Sequence, residues 1–224
     1  MSVRLVSYSQ PAGDNMTLQD MVCYCARVSN PSNQMNTETN DRLINYLIKN
    51  YHWSPFEMVN ICLEITTTRD IARQILRHRS FSFQEFSQRY AEVNNSGLIY
   101  REARTPDIHN RQNSIPIDDQ TSVEVYKWNV IQEKIYNVCN EAYREALEMG
   151  IAKEQARVVL PEGLTPSTIY MNGSLRSWIH YIQLRSGNGT QKEHKLIARA
   201  CADAIAPLFG PIINFIDDDM QLEK

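Results

Sequence analysis

The sequence predicts an α+β fold, and three observations carry that prediction. Residues 58–67 alternate, with Val59, Ile61, Leu63 and Ile65 on one side and Asn60, Glu64 and Thr66 on the other, which is the two-residue period of a half-buried strand. Several other stretches repeat apolar residues at three- and four-residue spacing, the period of helices docked on a core. Strand candidates are few and the helices between them are unequal in length, unlike a regular βαβ array.

In chain order, residues 3–8 read as a short strand and 17–29 as a helix with Thr17 as its cap. A polar loop rich in Asn, Ser and Pro follows, then a helix over 38–50 with Leu43, Ile44, Leu47 and Ile48 on one face. After the 58–67 strand, a helix starts near Thr68 with an apolar stripe of Ile71, Ala72, Ile75 and Leu76. Arg69, Arg73 and Arg77 fall four apart on a different face, predicting an exposed cationic row. Arg77 and His78 are expected in its last turn, where cations suit the helix dipole. Residues 93–118 form the longest candidate loop, containing Asn-Asn-Ser-Gly. A long helix over about 119–149 carries Val125, Trp128, Ile131, Ile135, Val138 and Ala142 and is closed by Gly150. A short helix from Lys153 to Leu160 stops at Pro161, a strand spans 165–172, and helices over 174–186 and 190–208 complete the chain. No internal repeat, low-complexity tract or linker divides it, so residues 1–224 are expected to form a single domain.

Composition narrows the function classes. With 42% hydrophobic and 22% charged residues over 224 positions, this is an ordinary globular chain that can bury a sizeable core. The net charge of -3 argues against a non-specific nucleic-acid binder, and no run approaches a membrane span. The N-terminus lacks a signal-peptide apolar run, and five scattered cysteines (Cys23, Cys25, Cys62, Cys139, Cys201) fit reduced thiols, so a cytoplasmic location is expected. The five histidines lack metal-ligand spacing, so no metal is expected, and neither a Walker loop nor Gly-x-Gly-x-x-Gly occurs.

The chemistry concentrates in residues 77–89, Arg-His-Arg-Ser-Phe-Ser-Phe-Gln-Glu-Phe-Ser-Gln-Arg. Arginine presents a planar fork of donors that matches phosphate and carboxylate oxygens, and no lysine interrupts the series. Three further segments stand out: His52-Trp53-Ser54-Pro55-Phe56-Glu57, Gln155 to Pro161 around Arg157, and the helix Ser174 to Arg185 with Arg176, His180 and Gln183 along one row. Helical geometry points Arg185 away from that row, so the two arginines can serve different ligands.

Together these segments resemble the flavin-dependent thymidylate synthase family. That family carries Arg-His-Arg-x-x-Ser-x-Asn-x-x-Ser-x-Arg, and Arg77, His78, Arg79, Ser82, Ser87 and Arg89 stand in register, with Glu85 inside the run. Ala26-Arg27-Val28-Ser29, Ala72-Arg73-Gln74, Ala156-Arg157-x-Val159-Leu160-Pro161 and Leu175-Arg176-Ser177 leading to Leu184-Arg185 are also similar to it. The chain departs from the pattern at Gln84, where the family has Asn, and at Ser174, where Asn often opens the later helix motif, although Asn172 is close by.

The resemblance implies a central, mostly antiparallel sheet flanked by helices, in a homotetramer with active sites at subunit interfaces. It implies conversion of dUMP to dTMP, with 5,10-methylenetetrahydrofolate as one-carbon donor, tightly bound FAD as hydride carrier and NADPH as reductant. For FAD it implies Ser54, Arg77, His78, Arg79, Ser80, Glu85, Ser174, Arg176 and His180. For dUMP it implies Gln74, Arg77, Glu85, Phe86, Ser87, Gln88, Arg89, Arg157 and Arg185. Ser87 with Arg89 suits the phosphate, and Arg185 suits the O2–N3–O4 edge of uracil as the group that stabilises charge during reaction. No cysteine sits beside a histidine or in a nucleophile turn, as a thiolate mechanism would need. Two rival readings remain: an RNA-binding module using the arginine row with Phe81, Phe83, Phe86 and Tyr90, and a non-catalytic flavin-binding protein.

Overall fold

The computed structural model describes residues 1–12, 15–93 and 99–217. Its strands are β1 (Ser2–Tyr8), β2 (Asn60–Thr68), β3 (Ser82–Glu85), β4 (Arg104–Pro106), β5 (Ser114–Pro116) and β6 (Pro166–Ser174). Its helices are α1 (Leu18–Ala26), α2 (Asn40–Lys49), α3 (Arg69–Ile75), α4 (Val123–Glu148), α5 (Lys153–Ala156), α6 (Leu175–Ser186) and α7 (Lys192–Ile205). The main sheet has the order β1-β2-β6-β3, and every neighbouring pair is antiparallel. This is the α+β architecture expected.

One face of the sheet makes the core. Ile61, Leu63 and Ile65 of β2 and Ile169 and Met171 of β6 are fully buried, together with Ile71 and Ile75 of α3, Trp178, Ile179 and Ile182 of α6, and Ala198, Cys201 and Ile205 of α7. Burying each large apolar side chain contributes about 1.5–3 kcal/mol, so this layer fixes where α3, α6 and α7 lie. Trp178 satisfies its indole N–H by donating to Ile61 O at 3.0 Å. Thr17 caps α1 and forms a reciprocal pair with Asp20. That helix stops at Ala26, short of the expected 29, where the Arg27 side chain turns to donate to Asn36 O and Asn40 Oδ1 at 2.6 and 2.7 Å.

The structure corrects the sequence reading at three places. First, α3 ends at Ile75 with Leu76 as its cap, so Arg77 and His78 lie beyond its last turn. Their amides donate three residues back, to Gln74 O and Ile75 O, closing tight turns that redirect the chain into β3. Second, Arg69 is buried beside Glu85 at 3.5 Å, so no continuous exposed cationic row exists. Third, the 93–118 loop contains the β4–β5 hairpin, while its Asn94-Asn95-Ser96-Gly97 tract lies outside the described residues.

The apolar row of α4 is not core. Val125 is buried, but Trp128, Ile131, Ile135 and Val138 are exposed at 38%, 53%, 45% and 57%, while the polar Gln132 and Asn140 are buried. Helical periodicity reports that a face is apolar without saying what covers it.

Candidate active site

The sequence-predicted residues fall into three groups on this chain. The first surrounds the junction of β6 and α6. Ser174 caps α6, accepting from Ser177 N at 3.3 Å, and its hydroxyl donates to Glu57 Oε2. Arg176 Nη1 donates to Glu57 Oε1 at 2.7 Å. Burial pushes the Glu57 carboxyl up, but the Ser174 and Arg176 contacts outweigh it and hold the group below the usual carboxylate range. Ser177 Oγ donates to Ser80 O at 3.3 Å, tying the motif to α6. Phe81 packs against Trp178 with ring centres 4.8 Å apart and lies over Gly173, where a Cβ would stand 2.5 Å from its ring. Only glycine permits that approach. His180 meets Trp53 edge to face at 5.3 Å, and burial and Arg176 lower its basicity. Ser54, Arg77 and Arg79 are exposed. Neither the Arg77 nor the Arg79 side chain makes a hydrogen bond or ion pair among the described residues.

The second group lies between α3, α6 and α7. Arg185 Nε donates to His78 Nε2 at 2.8 Å, so His78 carries its ring proton on Nδ1. Burial first, then Arg185 and Arg77, push His78 down to about 4, leaving it neutral at pH 7. The terminal nitrogens of Arg185 have no partner among the described residues. Behind this pair lies a buried polar chain. Tyr181 Oη and His194 Nε2 are 3.1 Å apart, and His194 Nδ1 is 3.3 Å from Gln74 Oε1. Gln74 Nε2 donates to Gln191 Oε1 at 2.8 Å, and Gln191 Nε2 donates to Glu193 Oε2 at 2.8 Å. Arg104 and Arg101 pair with Glu193, and Arg101 is held by its own backbone contacts to Trp128 and Gln132 of α4.

The third group sits where β3 leads out of the sheet. Glu85 accepts from Ser167 Oγ at 2.9 Å. Phe86 N donates to Thr168 O, anchoring the turn to β6, while its ring is partly exposed. Ser87 Oγ accepts from Arg89 N at 3.4 Å. Gln88 is buried, and its Nε2 has no hydrogen-bond partner among the described residues. Arg89 and Arg157, far apart in sequence, converge on Glu154: Arg89 Nε lies 3.4 Å from Oε2, and Arg157 Nε donates to Glu154 O at 3.3 Å.

Sequence reasoning named His78, Gln74 and Arg185 separately, without seeing that two of them are bonded. It gave no role to Glu57, although that residue stood inside a quoted segment. Tyr181, Gln191, Glu193 and His194 were missed altogether. Tyr181 reads as part of the apolar side of α6, and a lone buried histidine has no local signal. Among the described residues no three acidic, histidine or cysteine side chains cluster to hold a metal.

The profile described as "Thymidylate synthase complementing protein" matches residues 4–209. The chain belongs to the flavin-dependent thymidylate synthase family. A probable flavin-dependent thymidylate synthase of Paramecium bursaria Chlorella virus 1 is 48% identical over 221 residues, covering 97% of this chain and 99% of that one. The flavin-dependent thymidylate synthase of Synechocystis sp. is 46% identical, covering 89% and 92%. The fold also matches a crystal structure of PolB, a UMP/dUMP methylase from Streptomyces cacaoi bound with 5-Br dUMP. The TM-score is 0.80 at 27% identity, covering 96% of this chain and 93% of that one. Membership places the chain among methyltransferase enzymes, and the buried Arg69 removes the continuous stripe on which the RNA-module alternative rested. No described helix is long and apolar enough to cross a membrane.

Proposed function

We propose that this protein methylates dUMP to dTMP, with 5,10-methylenetetrahydrofolate as one-carbon donor, FAD as hydride carrier and NADPH as the source of reducing equivalents. The observation that carries this reading is the pairing of Arg185 with a neutral His78. Held at Nε, the guanidinium keeps both terminal nitrogens without a partner among the described residues. Such a fork complements the O2–N3–O4 edge of uracil and stabilises negative charge as N3 loses its proton, which raises the nucleophilicity of C5. A neutral histidine suits this task, because a second cation beside Arg185 would weaken the pairing.

Ser87, Arg89 and Arg157 take the phosphate. The Arg89–Glu154 pair is solvent-exposed, so exchanging it for a phosphate dianion costs little. Gln74, Arg77, Glu85, Phe86 and Gln88 complete the dUMP site. Arg77 and Arg79, exposed and uncompensated by acid, fit a diphosphate, so the donor set suits FAD, with Ser54, His78, Ser80, Glu85, Arg176 and His180 around it. Ser174 is the weakest of these candidates, since its hydroxyl already caps α6 and bonds Glu57. When bound, FAD supplies the hydride that turns the transferred carbon into a methyl group.

The working unit is a homotetramer of single-domain chains (residues 1–224) in the cytoplasm, with sites completed at subunit interfaces. The exposed apolar row of α4 supports this by leaving a broad apolar helix face uncovered on a single chain. A thiolate mechanism lacks support: all five cysteines are free, and burial pushes Cys23 up to about 11 and raises Cys25, Cys62 and Cys201 as well. The purified protein should be a yellow oligomer that forms dTMP from dUMP when given methylenetetrahydrofolate and NADPH. A colourless monomer that binds no FAD and forms no dTMP overturns the proposal.

A further inference from the structure

The buried polar chain has a direction that can be read from its ends. The Glu193 carboxylate only accepts, and Arg104 and Arg101 hold it in that state. Gln191 must therefore turn its amide N–H toward Glu193 and its Oε1 toward Gln74. Gln74 must in turn donate from Nε2, which leaves Oε1 facing His194. Two acceptors cannot face each other, so His194 carries its proton on Nδ1, and its Nε2 accepts a hydrogen bond from the Tyr181 hydroxyl. Each member has one orientation that satisfies all the others. His194 and Tyr181 are fully buried, out of reach of bulk solvent.

We infer that His194, held by Tyr181, is a positioning residue that acts with Gln191 to lock the amide of Gln74, so that its remaining N–H points to a ligand oxygen. The inference deepens the dUMP reading and rests on it for the identity of that ligand. Gln74 is only half-buried, so its outer side is open to a ligand while its inner side is fixed. The same rings also brace the neighbouring group. Tyr181 packs edge to face on His78 at 4.9 Å, and His78 holds Arg185. One uncharged cluster thus sets the direction of two ligand-facing side chains, from α3 and from α6. Gln191 fixes which end of the amide donates, and with that bond as its only tether the amide would swing about it and its free N–H would lose its aim.

The test uses the FAD-loaded oligomer with dUMP as the probe. His194→Leu removes both ring contacts and should raise the dUMP KM roughly tenfold, with a smaller change in kcat and FAD content retained. His194→Asn places an amide N–H near the Nδ1 position and should recover most of that loss. In a Gln74→Ala background, His194→Leu should add nothing to KM, because its effect passes through Gln74. Equal losses in the Leu and Asn variants, or additive effects in the double variant, overturn the inference in favour of simple packing. Nitrogen-15 NMR of the imidazoles gives a readout that needs no substrate. Protonation of His194 at Nε2 overturns the inference. Protonation at Nδ1 in a protein that binds no dUMP supports the locked chain and overturns only the dUMP reading.

Discussion

Two arginine sites in this protein are built in opposite ways. Arg185 is half-buried, held at Nε by a neutral histidine, and backed by a chain of buried hydrogen bonds that ends on a doubly paired carboxylate. Arg89 reaches into solvent and rests on Glu154 through a single contact at 3.4 Å, with 57% of its side chain exposed. The first is aimed before any ligand arrives, and the second is held by an interaction of the kind worth about 0–1 kcal/mol. Preorganised donors suit charge that develops during reaction, whereas a loosely held cation suits a charge already present on the substrate.

If that division is right, breaking the preorganised side should cost the most. Arg185→Lys keeps the charge but loses both the planar fork and the Nε–H given to His78. It should lower kcat by roughly 10²-fold or more at saturating dUMP, with FAD still bound. Wild-type kcat in that variant would remove Arg185 as the activating group. Arg89→Ala should act on binding instead, raising the dUMP KM roughly tenfold or more with a smaller effect on kcat. A purely kcat effect would erase the distinction between the two sites.

Acid should reveal the same contrast in stability. His78 and His194 sit at about 4 and about 3 in the folded protein, below the unfolded value of about 6.5. The folded state keeps both rings neutral, while the unfolded chain takes up protons below that value. Stability is therefore full above about pH 6.5 and falls as pH drops through the window toward 4 and then 3. Melting temperature should decline from pH 7 to pH 5, and the decline should be shallower in His194→Leu. A wild-type profile flat over that range contradicts the buried neutral pair. The smallest effect belongs to the thiols: single Ser or Ala replacements of the five cysteines should leave turnover within about tenfold, apart from lost packing. Abolished turnover in a folded, FAD-binding variant would reveal a missed thiolate step.

The sheet and most helices were legible in the sequence because local rules agree with the fold there. The alternation of Val59 to Ile65 and the Thr17 cap needed no tertiary information. The motif arginines were legible because guanidinium chemistry is hard to use in a core. Arg69 was misread for the complementary reason: helical spacing cannot show that Glu85, from β3, waits beside it. The row from Trp128 to Val138 was correctly seen as apolar, but one chain does not say whether its cover is its own core or another surface. The Gln74–His194–Tyr181 chain was illegible because its members come from α3, α6 and α7 and carry no shared spacing. Only the packing of three helices on the sheet makes them neighbours.

Among the described residues, no hydrogen bond or ion pair joins the Arg185 group to the Arg89 group, and in the proposed oligomer the two meet in one active site assembled from different subunits. The most direct measurement is complementation between two crippled variants. Arg185→Lys protein and Ser87→Ala/Arg89→Ala protein would be dissociated, mixed and reassembled, then assayed for dTMP at dUMP well below the KM of the second variant. Mixed oligomers should contain some sites with both groups intact, and activity should rise clearly above that of either variant reassembled alone. Activity no greater than the average of the two parents would place both groups in a site within one subunit and contradict the account.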